Sequence, residues 1–354
     1  MTAFCLLTDP TTYIAQDIDF SGDSTLCQHW LDQFAKHFEQ ALQHAAMQYG
    51  RTSGRLIKNA SLQFAEQIAN LRENPTCLPG GKLNVMELCR LREKILRANR
   101  IGDPFGVAKA RENEAAMKLY PRVVRDLHAR RGRDRWEHLV RSVFAGNLFD
   151  LGSAVAMHLA VESMDFLAQV ENTKPRPWLV DDFDRLAADL PDQPPTRWGK
   201  VVIFIDNAGS DFILGIMPLA RELSLYGTKV VLAANELPSL NDMTVNETIT
   251  VIEKLATGDS DLQALIDASM LEVVSTGTDL PMIDLANVSD ELNAAAADAE
   301  LVILEGSGRA FETNYDAKLK VDTLKLALLK EETIAEIAGG KVFDCVCRYE
   351  PIGG

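Results

Sequence analysis

The sequence predicts an α/β protein, in which a doubly wound, mostly parallel sheet with helices on both faces follows an amino-terminal part that is mostly helical. Three observations carry the prediction. Residues 200–354 alternate short apolar runs with amphipathic stretches, residues from about 25 to 172 repeat apolar side chains three and four apart, and a proline-rich segment separates the two.

In chain order, "MTAFCLLTDP" has no basic segment before its short apolar run and meets Asp9-Pro10 at once, so it reads as a poor signal peptide. Helical periodicity then marks "LDQFAKHFEQALQHAAMQY", "LIKNASLQFAEQIANL", "VMELCRLREKILRAN" and "GSAVAMHLAVESMDFLAQV". Helices are expected to stop at Pro75, at "CLPGGK" and at "IGDPFG", where glycine and proline intervene. The expected division is a helical domain over 1–174, a connection over 175–199 and an αβ domain over 200–354. The connection holds five of the chain's 14 prolines around one short helix.

Beyond it, "KVVIFID", "KVVLAAN", "LEVVST", "LVILEG" and "KVFDCVCRY" read as buried strands. Helical stretches such as "FILGIMPLARELSLYG" and "SDELNAAAADAE" separate them. Four successive strands joined by helical crossovers favour a parallel sheet, and such sheets bind ligands beyond the carboxyl ends of their strands. That rule gathers polar side chains at one rim. Asp206 and Asn207 end the first strand, with Gly209 permitting a tight turn; Asn235 and Asp242 follow the second, with Thr244 as cap of the next helix; Glu305 and Arg309 follow the fourth. A single Asp after a strand also serves as a helix cap or turn former. Three strand ends finishing together in carboxylates or amides point to a ligand site instead.

Composition limits the chemistry. With 47% hydrophobic and 25% charged residues the chain reads as globular, and no apolar run approaches the roughly 20 residues of a membrane helix, so a cytoplasmic protein is expected. The net charge of −15 resides in residues 200–354, with 11 basic and 26 acidic side chains, whereas residues 1–199 balance at 25 and 25. This argues against nucleic acid as a partner, and any anionic substrate bound there needs a local cation. Six scattered cysteines, with Cys345 and Cys347 on one face of a strand, read as reduced core residues. All six histidines precede residue 160, which excludes a Ser-His-Asp triad or His-ligated zinc built within the αβ half. Oxygen donors remain, suited to Mg²⁺ or Mn²⁺, and a metal-dependent phosphoryl-group site is the preferred reading.

Other motifs read as structural. "EGSGRAF" lacks a third small residue and sits on the fourth strand, so it is not a dinucleotide fingerprint; the basic run "GRDRWEHLVR" reads as a solvated helix face, and His158 as a core residue.

The stretches "IDNAGSD", "NELPSLNDMT", "FAGNLFDLGSA", "GDPFGVAKARENE" and above all "EGSGRAFETNYDAKLKVDTLK" resemble the metal-dependent damage-control phosphatases, a family first filed as a domain of unknown function. The likeness runs from about residue 85 to the end and is nearest to the plant-type subfamily, related to the carboxyl-terminal domain of an animal pantothenate kinase. No phosphate-loop signature occurs, so the kinase portion of that fused protein is expected to be absent. The resemblance implies a Rossmann-like αβ domain and hydrolysis of phosphate monoesters with Mn²⁺, Ni²⁺, Co²⁺ or Mg²⁺. Its implied substrates are small phosphorylated metabolites, foremost 4′-phosphopantetheine and its oxidised forms. It places metal ligands at Asp206, Asn207 and Asp242, and catalytic groups at Asp206, Arg309 and Lys320, the last at the substrate phosphate. Substrate-binding positions are expected at Asn147, Asp150, Asn235, Glu305, Gly306, Gly308 and Asn314. Ser307 departs from the subfamily's usual Glu-Gly-Met-Gly-Arg, which points to a change in the pocket wall. Whether Asp206 also attacks phosphorus stays open, since Asp206-Asn207-Ala208 is not the Asp-x-Asp of phosphatases with an aspartyl nucleophile. A methyltransferase using S-adenosylmethionine and a catalytically idle module that binds a phosphorylated metabolite are the two alternatives.

Overall fold

The structure is a computed structural model that describes residues 1–15, 18–78, 81–148, 165–190 and 192–352. Among the described residues six α-helices precede the first strand: α1 (Ser24–Tyr49), α2 (Gly54–Glu73), α3 (Val85–Ala98), α4 (Gly106–Ala129), α5 (Gly132–Leu148) and α6 (Phe166–Asn172). The Asp23 carboxylate caps α1 by accepting from the Thr25 and Leu26 amides. Trp30, Phe34, Phe38, Leu42 and Ala45 then follow one another at three- and four-residue spacing on its buried face. Phe38 stacks on Phe64 of α2 at 4.0 Å between ring centroids. α6 overlaps the end of the last helix expected in this half; residues 152–164 of that stretch, with His158, and Asp150 before it lie outside the described residues.

Next come β1 (Val180–Asp181), α7 (Phe183–Asp189), β2 (Lys200–Phe204), α8 (Met217–Leu225), β3 (Lys229–Ala234), α9 (Val245–Ala256), α10 (Ser260–Asp267), β4 (Leu271–Ser275), α11 (Asp290–Ala296), β5 (Leu301–Glu305), β6 (Asp322–Leu328), α12 (Glu332–Ile337) and β7 (Cys345–Glu350). Among the described residues these strands form one sheet, ordered β1-β7-β6-β5-β2-β3-β4, and parallel except between β6 and β7. The fold is thus the expected Rossmann-like α/β arrangement.

Two strands were not read from the sequence. β1 is only two residues long, inside the proline-rich segment. β6 carries a fully buried Lys325 in its middle, which breaks the apolar run that marks a buried strand. Its ammonium donates to the Tyr315 and Ala317 carbonyls and pairs with Glu350. Only tertiary partners allow it there.

Alternation along each strand feeds two cores. Val201, Ile203, Val230, Leu232, Ile303 and Cys347 face a core shared with α4, α5 and α7 to α10. Val202, Phe204, Val231, Val302 and Leu304 face the other, shared with α1, α2, α3 and α11. Each core therefore mixes side chains from before and after residues 175–199. Cys345 and Cys347 face one core and are free thiols, as expected, and burial pushes the Cys345 thiol up to about 12. No helix among the described residues is long and apolar enough to cross a membrane.

A candidate acidic centre at the sheet's switch point

Chain direction reverses its lateral course between β2 and β5: β3 and β4 follow on one side of β2, while β5 and β6 follow on the other. The carboxyl ends of β2 and β5 therefore flank a crevice. Beyond β2 the backbone stays extended and pairs with the segment before α9: Ala208 N donates to Asn241 O at 2.9 Å, and Met243 N to Asp206 O at 3.0 Å. This brings Asn207 opposite Asp242. A π-helical turn, Asp211–Ile216, then leads into α8, and a second, Ser307–Glu312, follows β5. Such turns recur at functional sites.

The first turn swings Asp211 back toward the strand end. Its Oδ2 accepts from the Asn207 backbone N at 3.2 Å and from Asn207 Nδ2 at 3.0 Å. α5 closes the crevice from a third side, because Gly146 has no side chain: a Cβ there would stand 2.8 Å from Ser210 O. Asn147, the next residue, donates through Nδ2 to Asp211 Oδ2 at 2.9 Å, Glu305 Oε1 at 3.1 Å and Asp206 Oδ2 at 3.4 Å. One amide thus spans three carboxylates.

Those carboxylates, Asp206, Asp211 and Glu305, are buried and can each offer an oxygen within 4.8 Å of the others, a group able to hold a metal ion. Asp211 Oδ1, Glu305 Oε2 and Asn147 Oδ1 are buried without a hydrogen-bond partner among the described residues. Burial, then the charge of Asp206, pushes Asp211 up to about 7. Burial, then Asp211 and Asp206, raises Glu305 well above the usual carboxylate range. Three acids at such spacing hold protons unless a cation neutralises them, and the unsatisfied hard oxygens fit a divalent ion.

Arg309 occupies the neighbouring space. It pairs through Nη1 with Asp206 Oδ1, and through Nη2 with Asp242 Oδ2 at 2.6 Å and Asn235 Oδ1 at 3.0 Å. Burial opposes the guanidinium charge, but Asp242 and Asp206 outweigh it and hold the group above its ordinary value. Asn235 Nδ2 also donates to Asp242 Oδ2 at 3.0 Å.

The expected ligands Asp206, Asn207 and Asp242 are therefore neighbours that separate in role. Asp206 belongs to the acidic group, Asn207 turns its amide toward Asp211, and Asp242 pairs with one arm of Arg309 while Asp206 takes the other. Asp211, unmarked in the sequence reading, joins Asp206 because a π-helical turn places it there; four-residue spacing from Asn207 at a helix start was the available signal.

Lys320 is a correction. It precedes β6 at the opposite edge of the sheet, since Asp322 pairs with Leu301 at the start of β5. Its exposed ammonium donates to Cys5 O at 2.9 Å. Lys330, just past the carboxyl end of β6, is the lysine at the rim, where Nζ donates to Asn147 O at 3.1 Å. Reading "DTLKLAL" as a strand would have found it. Asn314 also leaves the expected set: its amide donates to the Ile283 and Arg309 carbonyls, and its Oδ1 accepts from the Tyr13 hydroxyl at 2.7 Å, so it braces the loop after β5. Gly308 is at the cleft because a Cβ would come 2.7 Å from Pro281 O. Asp150 lies outside the described residues.

Asp206, Asn207, Asp242 and Lys330 open onto a cleft of about 270 Å³, whose far wall includes Trp30 and Phe34 of α1 and Arg92 of α3. Ser307 lines it too and donates to Glu312 Oε1 at 3.0 Å; burial, more than any neighbour, pushes Glu312 up to about 7.

Hard oxygen donors buried at the switch point of a doubly wound sheet define the class, an α/β fold with an oxygen-donor acidic centre. A family model described as the damage-control phosphatase ARMT1-like domain matches residues 27–346. The chain belongs to this family, and is accordingly a phosphatase. The match begins in α1, earlier than the expected residue 85. The chain is 44% identical over 296 residues to a damage-control phosphatase of Arabidopsis thaliana, covering 82% of this chain and 79% of that one. It is 29% identical over 398 residues to a 4′-phosphopantetheine phosphatase of Mus musculus, covering 98% of this chain but only 48% of the mouse protein. Among solved structures, a DUF89 family protein from Pyrococcus horikoshii superposes with a TM-score of 0.67 at 20% identity, over 90% of this chain and 96% of that one, which shows a shared fold.

Proposed function

We propose that the chain hydrolyses phosphate monoesters of damaged or surplus metabolites in a reaction that needs a divalent metal (Mn²⁺, Ni²⁺, Co²⁺ or Mg²⁺), with 4′-phosphopantetheine and its oxidised, sulfonate forms as first candidates. The observation that carries this reading is the buried group Asp206, Asp211 and Glu305 with its orphaned oxygens, which reaches a cleft through Asp206. The substrate follows from the name of the mouse relative. Asp206, Asp211 and Glu305 would hold the metal, with Asn147 and Asn207 fixing their orientation. A bound divalent ion supplies Lewis-acid polarisation of a phosphoryl oxygen and lowers the pKa of bound water.

The chain's own residues do the rest. Lys330 neutralises charge spreading over the phosphoryl oxygens, since phosphoryl transfer is mostly positioning plus electrostatics. Arg309, already paired with two carboxylates, acts as a positioning residue that keeps Asp206 and Asp242 facing the cleft. Trp30 and Phe34 exclude water from the phosphate's surroundings.

The test is phosphate release from a panel of esters that includes phosphopantetheine and its sulfonate, with each metal and with chelator. Metal-dependent release that falls at least about 100-fold in Asp206→Asn is expected. Full activity of that variant, or tight metal-free binding of S-adenosylmethionine without phosphate release, would overturn the reading.

A further inference from the structure

The cleft has a second wall that the acidic centre leaves unused. α3 brings Arg92 to it, with the side chain 2% exposed. Its guanidinium is fixed from one side: Nε donates to Glu93 Oε1 at 2.8 Å and Nη2 to Ser239 Oγ at 3.4 Å, while Ser239 Oγ itself donates to Glu93 Oε1 at 2.9 Å. Phe34 of α1 covers one face, with the guanidinium carbon 5.8 Å from the ring centroid. Among the described residues no hydrogen bond engages Nη1, although a guanidinium carries five donors. Burial opposes the charge, but its acidic neighbours, Glu93 and Asp242 among them, more than compensate and hold the guanidinium above its ordinary value.

A buried guanidinium with one nitrogen unused is an incomplete arrangement, because a buried donor left without an acceptor is costly even when the charge itself is paired. The cleft around it already has an acidic floor. Arg309, behind the cleft, is committed to Asp206 and Asp242; of the lysines that line the cleft with Arg92, Lys330 donates to Asn147 O and Lys36 comes from α1. A phosphate dianion entering an acidic cleft needs charged groups with donors that are not yet engaged, and the planar fork of arginine matches two phosphate oxygens. The part of the Arg92 guanidinium that Glu93 and Ser239 leave open meets that need from α3, in the same cleft as Asp206 and Asn207.

We propose that Arg92 is a further substrate-binding residue, taking phosphoryl oxygens from the α3 side of the cleft, with Glu93 and Ser239 as the residues that position it. The proposal rests on the phosphatase reading for its site, though not for its metal. It predicts that the cleft binds the phosphate group of any ester through Arg92, whatever the organic part.

The test titrates inorganic phosphate into the wild type, Arg92→Met, Arg92→Lys and Ser239→Ala by calorimetry, and measures KM and kcat on a simple aryl phosphate with thermal melting as a control. Arg92→Met should weaken phosphate binding and raise KM about 10- to 100-fold, as expected for a hydrogen-bonded charge. Arg92→Lys should recover only part of this, because an ammonium lacks the fork. Ser239→Ala should raise KM a few-fold with kcat nearly unchanged. If Arg92→Met does not fold, Arg92→Lys and Ser239→Ala decide. Folded variants with wild-type phosphate affinity and KM, or a wild type that binds no phosphate, overturn the proposal. A wild type that binds phosphate through Arg92 but hydrolyses no ester with any metal sinks the phosphatase reading alone.

Discussion

At Gly306 the backbone φ is +90°, and a Cβ would overlap the Asp206 carboxylate. Both facts require glycine, one through the left-handed backbone and one through the close approach of the first carboxylate of the acidic group. Gly306→Ala should therefore fold with stability lowered by about 1–3 kcal/mol. Its phosphate release should fall much further, because Asp206 must move; assays of melting and of turnover on one preparation separate the two effects. Asp206 and Glu305 were legible in the sequence, since each follows an unmistakable buried strand. Asp211 and Lys330 were not: one depends on a π-helical turn, and the other on recognising a strand with a lysine at its centre.

The segments that carry the site are held by α4. Asn113 Oδ1 accepts from the Gly209 backbone N at 2.7 Å, which sets the turn after β2. Lys109, fully buried, donates to Asp242 O at 3.4 Å and pairs with Asp103 at 3.1 Å and Glu247 at 2.8 Å. Glu247 in turn caps α9, accepting from Thr244 N and Thr244 Oγ1. The motif "GDPFGVAKARENE", noticed only as part of a resemblance, thus ties two strand-end loops to one helix. Lys109→Met leaves two carboxylates without their cation and should cost about 2–4 kcal/mol in denaturant unfolding, toward the low end because both acids are partly exposed. A midpoint unchanged from wild type would show that the loops hold themselves. Helices were easier to read than strands here, because periodicity survives over 14 to 26 residues in α1 to α4, whereas β1 has two residues and β6 an interrupting lysine.

Across the molecule, charge and burial act together. Net charge is −15, and the cleft concentrates acids that would rather keep their protons. Glu312 lies apart from the acidic group, and its folded-state pKa stands near 7, above the ordinary 4.5, with burial as the leading cause. The fold therefore binds a proton there that the unfolded chain releases. Stability from Glu312 is complete below about pH 4.5 and is lost as pH rises through about 7. Melting curves across that window should show Glu312→Gln losing less stability than the wild type as pH rises. Parallel pH profiles of the two proteins would refute the assignment. The two cores, each shared by helices from the first half and strands from the second, make the site a joint product of both.

The alternation of strands and helices, the rim of polar residues, the oxygen-only donor chemistry and the family were readable from the chain alone. Each rests on local period, on order along the sequence or on residue type, and these do not require knowing what touches what. The partnership of Asp206 with Asp211 and Glu305, the pairing of Asp242 with Arg309, and the position of Lys330 rather than Lys320 at the rim required the three-dimensional structure. Those depend on which strand lies beside β2 and on which end of β6 faces the crevice. Neighbours across a sheet can be about a hundred residues apart in the chain, as Asp206 and Glu305 are, so local pattern holds no record of their contact.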